Sequence, residues 1–212
     1  MKTWIGVLCG LLVLASCKDE ASVYPNVQTL FADVKTDSEG MMAWLVSDEG
    51  ETWRITPHEK LGGLTPDSLY RTVTTFLPTE GQTATVYRCL LTKALVPADS
   101  AYFSNEIHTD AVDIRSIWRA GSYLNMILLA KVKELTHRYH FLEEGIVPQA
   151  GGGRLLQLRL FHDSHGDAEA FTEEVYLSVP LQAYADTLSA GDSVVLRLNT
   201  FKEGPVERRF AY

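Results

Sequence analysis

Residues 118–133 read WRAGSYLNMILLAKVK, and from Tyr123 onward the stretch alternates. Leu124, Met126, Leu128, Ala130 and Val132 fall on one face, while the other face ends in Lys131 and Lys133. Successive side chains of a strand point to opposite faces, so the pattern predicts a strand with one buried side. The same signature recurs outward from it. Leu156, Leu158 and Leu160 alternate with Gln157 and Arg159, and Val175, Leu177 and Val179 with Tyr176 and Ser178. Val194, Leu196 and Leu198 alternate with Val195, Arg197 and Asn199. With 112–118, 137–142 and 206–212, these runs make about seven strands, the number expected of an antiparallel β-sandwich whose apolar faces pack together. Gly151-Gly152-Gly153 and Lys202-Glu203-Gly204 supply corners.

The first half carries shorter runs at 27–34, 41–46, 51–55, 69–77 and 83–95, and no strong helical period. Asp48-Glu49-Gly50 predicts a hairpin between the second and third runs, and Glu80-Gly81 one between the fourth and fifth. Five strands in that order fit a small closed barrel of OB type, and equally another five-stranded barrel. Residues 97–110 turn polar and lose all period, which marks a domain boundary. The expected protein is all-β: a signal peptide over 1–16, a lipidated tether over 17–25, an OB-like barrel over 26–97, a linker over 98–110 and a β-sandwich over 111–212.

The start of the chain, MKTWIGVLCGLLVLASC, has the layout of a secretory signal: a basic Lys2, an apolar run, then Ala15 and Ser16 before Cys17. The apolar run is shorter than the ~20 residues a spanning helix needs. Leu14-Ala15-Ser16-Cys17 resembles the lipobox of bacterial lipoproteins. That resemblance implies cleavage before Cys17, a diacylglycerol on its thiol and an acyl chain such as palmitate on its new amino group. At ~0.8 kcal/mol per buried methylene, two or more chains hold a protein stably on a bilayer. Lys18-Asp19-Glu20 reads as a solvated charged tether. It also resembles the lipoprotein export signal of Gram-negative gut anaerobes, which implies the cell surface. The expected location is therefore the outer membrane, lipid-anchored, at the cell surface or on the periplasmic face.

Composition excludes one partner class. The chain has 19 basic and 27 acidic residues, a formal net charge of −8, and such a chain repels nucleic-acid phosphate. Cys9 leaves with the signal and Cys17 is taken by lipid, so Cys89 stands alone in the strand-like TVYRCLLTKAL, where it reads as a small buried hydrophobe.

Four short motifs stand in order along the chain: Tyr24-Pro25-Asn26, Asp48-Glu49-Gly50, the WRAGSYLN of 118–125 and the HDSHGD of 162–167. Together they resemble the NigD-like lipoproteins, which pair an N-terminal OB-like domain with a C-terminal β-sandwich. The resemblance marks Trp118, Gly121, Tyr123, Leu124, Asn125, His162, Asp163, Gly166 and Asp167 as family-motif positions. The chain departs from the family where a glycine-rich run would precede Tyr123 and Arg119-Ala120-Gly121-Ser122 stands instead. The family is named for a bacteriocin-immunity role, which implies binding of a protein partner.

The most site-like stretch is His162-Asp163-Ser164-His165-Gly166-Asp167, whose histidines and carboxylates suit zinc or, through oxygens alone, calcium. Asp, Ser and Gly are equally what a hairpin turn requires, and strand alternation keeps the four ligands from one face, so a turn and no metal is expected. His137 and His140 differ in parity and face opposite sides, with His137 beside Tyr139 and Phe141 as a core histidine. Trp44 and Trp53 each alternate in register with apolar neighbours and are expected in the barrel core. No G-x-S-x-G, phosphate-binding loop or H-E-x-x-H occurs, so neither enzymatic activity nor a cofactor is expected. The expected function is a non-catalytic, surface-exposed lipoprotein that binds a protein partner. An accessory glycan-binding module and an envelope assembly component docking through an edge strand are the alternatives, because both architectures host many functions.

Overall fold

The structure is a computed structural model that describes residues 25–58, 61–104 and 106–212. The signal segment, Cys17, the Lys18-Asp19-Glu20 patch and Tyr24 lie outside the described residues.

The expected barrel is present. It consists of β1 (Gln28–Thr36), β2 (Met42–Ser47), β3 (Thr52–Ile55), β4 (Leu69–Thr79) and β5 (Thr83–Leu91), closed in the order β1-β2-β3-β5-β4. β1 pairs with both β2 and β4, and β3 closes the ring by running parallel to β5. The β2–β3 register sets which side chains enter. Leu45 stands opposite Trp53, and both join Ala32, Val34, Ile55, Phe76 and Ala84 in the core. Trp53 packs against Phe76 with ring centroids 5.0 Å apart.

Trp44 corrects the expectation of two core tryptophans. It neighbours Leu45 on β2, so when Leu45 turns inward Trp44 must turn outward, where it is 44 % exposed. Its cross-strand neighbours are Lys35 and Arg54. Val46, in register with it, is half-buried on that outer face, whereas the β1–β2 register slips between Lys35 and Thr36 and Met42 packs against the barrel core.

The run 83–95 divides in two. β5 ends at Leu91, and β6 (Lys93–Ala94) pairs in parallel with β11 (Phe171–Pro180) of the sandwich. Thr92 is the seam: its N–H donates to the Arg71 carbonyl in the barrel, and its hydroxyl to the Tyr176 carbonyl in the sandwich at 2.6 Å.

Two four-stranded sheets form the sandwich. One orders β6 and β11 beside β8 (Tyr123–Val132) and β7 (Asp113–Ala120). The other consists of β9 (Arg138–Pro148), β10 (Arg154–Asp163), β12 (Ser193–Thr200) and β13 (Gly204–Ala211), ordered β13-β12-β10-β9. The seven runs after residue 110 become β7 to β13, and the barrel run supplies the eighth strand. Pairing is antiparallel except β10 with β12 and β11 with β6. The alternating leucines and valines of β8, β10, β11 and β12 meet in one core, with Leu124, Met126, Leu128, Leu156, Leu158 and Leu196 sealed from solvent. Segment 98–110 packs along this sandwich. Ala98 bridges to Leu142, Thr109 bridges to His162, and the Phe103 ring stacks on Phe161 at 4.6 Å.

The HDSHGD stretch is not a hairpin. β10 pairs with β9 and β12, whereas β11 pairs with β8 and β6, so the chain crosses here from one sheet to the other.

Candidate functional site

Arg71 on β4 is the centre of the joint between barrel and sandwich. Only 6 % exposed, it uses all five of its N–H groups. Two donate to Asp48 at 2.7 and 2.8 Å, one to Asp33 at 3.2 Å, one to the Asn125 Oδ1 at 2.8 Å, and Nε to the Ser178 hydroxyl at 3.1 Å. The acceptors are tied to each other as well. Asn125 Nδ2 donates to Asp48 at 2.6 Å, and the Ser178 hydroxyl to Asn125 Oδ1 at 2.7 Å. The guanidinium lies 3.7 Å from the centroid of the Tyr123 ring, whose hydroxyl donates to Asp33 at 3.1 Å. Burial, reinforced by the Asp33 charge, pushes the Tyr123 phenol up to about 12.

Gly121 explains why the joint closes so tightly. Its φ is +50°, and a Cβ there would stand 2.0 Å from the Asp48 carbonyl oxygen. Trp118 completes the contact with its ring edge-on to Phe31, centroids 5.3 Å apart. Leu124, the neighbour of Asn125, faces the other way into the sandwich core. The motifs Asp48-Glu49-Gly50 and WRAGSYLN, far apart in sequence, therefore meet across the joint. Their indispensable partner Arg71 carried one sequence signal, a charge inside the otherwise uncharged run 69–77.

Two grooves flank β11. One, of about 320 Å³, opens beside the joint and is lined by Phe31, Trp118 and Tyr176, with Glu49, Arg115 and Glu174 around it. Arg115 and Glu174 form an ion pair. The other, of about 440 Å³, lies along the far side of β11 and is lined by Leu90, Leu91, Leu135, His137, Tyr139 and Glu173 among others.

The HDSHGD crossover ties three loops together. His162 Nδ1 stands 2.9 Å from the Asp110 carbonyl and must donate to it, which leaves Nε2 to accept from His137 Nδ1 at 3.0 Å. Burial holds the His162 pKa below its ordinary value. His137 Nε2, buried and without a hydrogen-bond partner among the described residues, faces Asp167 at 3.4 Å. Burial raises the Asp167 pKa, but backbone N–H groups of Lys133, Glu134, Leu135 and Ala168 outweigh it and hold the carboxyl at about 2. Asp163 accepts from the His165 N–H at 2.9 Å, and Asp110 from Ser164. His165 and Gly166 take left-handed φ values of +54° and +72° at the tip of the turn. These side chains act as turn-builders, and among the described residues no three His, Cys, Asp or Glu stand together to hold a metal. His140, on the opposite parity to His137, packs against Tyr102 and Phe103. Cys89 is half-buried beside the Thr74 hydroxyl, and burial pushes its thiol up, away from the reactive thiolate.

The sequence model of the NigD-like C-terminal beta sandwich domain matches residues 94–212. None of the curated proteins matches the chain. Among solved structures, a NigD-like immunity protein from Bacteroides caccae is similar at 27 % identity and a TM-score of 0.75, over 89 % of this chain and 98 % of its own. A toxin-related protein from Parabacteroides distasonis is similar at 16 % identity and a TM-score of 0.70, over 88 % of this chain and 93 % of its own. A protein of unknown function from Bacteroides vulgatus follows at 17 % identity and a TM-score of 0.65, over 88 % and 90 %. The last two share the fold.

Proposed function

This chain belongs to the NigD-like family, and from that premise we propose that it is a non-catalytic lipoprotein, anchored to the outer membrane through Cys17, that captures a protein partner. The observation that carries the reading is the joint itself. A guanidinium saturated by side chains of both domains makes barrel and sandwich one rigid body, so the grooves flanking β11 keep a fixed shape. Preorganised grooves lined by aromatic side chains suit protein recognition, where a few buried aromatic and arginine anchors carry most of the binding energy. The similar protein from Bacteroides caccae is a NigD-like immunity protein, which favours an antimicrobial protein as the partner. Lys18, Asp19 and Glu20 then act as the label that places the protein at the cell surface.

The test is genetic. A strain lacking this protein becomes more sensitive to bacteriocins, the wild-type gene restores resistance, and a Cys17→Ser copy does not. Unchanged sensitivity of the deletion strain rejects the reading. One observation favours a second reading: the exposed indole of Trp44, set between Lys35 and Arg54, suits stacking on a sugar ring. Glycan-array signals that disappear in Trp44→Ala would establish it, and an array without signals removes it.

A further inference from the structure

β11 is covered unequally. β8 pairs with it from Phe171 to Pro180, whereas β6 pairs with it only at Leu177 and Ser178. In a strand, the backbone groups of alternate residues point to opposite edges. The Tyr176 carbonyl accepts from the Thr92 hydroxyl and the Ser178 carbonyl from the Leu95 N–H, so even-numbered residues face the β6 side. The N–H and C=O groups of Thr172 and Glu174 therefore project from an edge that no strand covers among the described residues. That bare edge runs along the 440 Å³ groove, beside Leu91 and Leu135, which are 47 % and 49 % exposed.

A row of donors and acceptors at strand spacing is complementary to an extended polypeptide backbone. Charge narrows the occupant. Lys93 stands at the closed end of the groove, on β6, but Glu173 lines it with no counter-charge in ion-pair reach among the described residues, and the chain carries a net charge of −8. We propose that this groove binds an extended segment of the partner protein as an added strand beyond β6, seating an apolar side chain against Leu91 and Leu135 and a lysine or arginine opposite Glu173. The proposal rests on the partner-capture reading and names its surface and chemistry.

The experiment titrates the full chain with an acetylated seven-residue peptide that alternates valine and lysine, following the amide resonances of Thr172 and Glu174. Two N-methylated versions each remove the peptide's N–H groups along one edge. Binding is expected for the parent peptide, with a loss of about tenfold or more for one methylated version and none for the other. The same loss is expected in Glu173→Lys. Glu174→Pro removes an edge donor while sparing the odd-numbered ladder to β8, and it too should bind weakly. No shift at millimolar peptide, equal binding of both methylated versions, or unchanged binding by a folded Glu174→Pro overturns the proposal. So does protection of the Thr172 and Glu174 amides before peptide is added, which would put this chain's own amino-terminal segment or a second copy on the edge. A failed titration alongside a bacteriocin-sensitive deletion strain removes this surface alone. Peptide binding alongside an insensitive deletion strain removes the immunity reading instead.

Discussion

Arg71 shows how much one buried charge commits. Its five donors satisfy Asp33, Asp48, Asn125 and Ser178, so truncating it leaves the buried Asp48 carboxylate with its bond from Asn125 but without its counter-charge. Arg71→Ala should cost about 3–5 kcal/mol in chemical denaturation, the usual penalty for breaking a buried pair from one side. A double-mutant cycle with Asp48→Asn should recover part of that cost, because the uncompensated charge is then removed. Gly121→Ala should cost about 1–3 kcal/mol for the left-handed backbone alone, and the 2.0 Å approach to the Asp48 carbonyl adds to it. Titration gives two further windows. The Tyr123 phenol is raised from 10.0 to about 12, so the folded state keeps its proton more tightly than the unfolded chain. The stability it contributes is complete below pH 10 and is lost as pH rises through about 12, and Tyr123→Phe should flatten that alkaline limb. Asp167 runs the other way. Its carboxyl is lowered from 3.8 to about 2, so its contribution is complete above pH 3.8 and is lost as pH falls towards about 2. Asp167→Asn should remove that acid limb, as read from unfolding midpoints across the range.

At the scale of the element, hairpins were legible and faces only partly so. The Asp48-Glu49-Gly50 turn forms where a positive-φ glycine allows it, with Gly50 at +87°. Yet alternation in β2 left Trp44 and Leu45 competing for the interior, since large apolar residues stand at both parities. The pairing of Leu45 with Trp53 decides the matter by putting both inside the barrel. Trp53→Ala should therefore cost about 3–5 kcal/mol, while Trp44→Ala stays within about 0.5 kcal/mol of wild type. Iodide should quench the Trp44 emission and spare that of Trp53. β6 was illegible for a different reason. Nothing in 83–95 interrupts the strand-like run, and two residues hold too little pattern to announce a new partner. Its existence depends on the β11 edge that receives it.

For the whole molecule, the joint predicts one cooperative unfolding transition in calorimetry, because polar groups of each domain are buried by the other. Arg71→Ala should split that transition into separate barrel and sandwich components. The local code of turn residues and alternation was enough to establish two β-domains, their order and most of their strands, because burying one face of a strand demands a period of two. The resemblance to the NigD-like family, rather than that code, marked WRAGSYLN and HDSHGD as special positions. What those positions do was decided only in three dimensions. Asp48, Arg71, Asn125 and Ser178 share no period, and Arg71 and Ser178 alone are 107 residues apart, so no local pattern links them. They become one network when the barrel settles on the outer face of a sandwich sheet, where β6 covers the β11 edge at Leu177 and Ser178 and no strand among the described residues covers the rest.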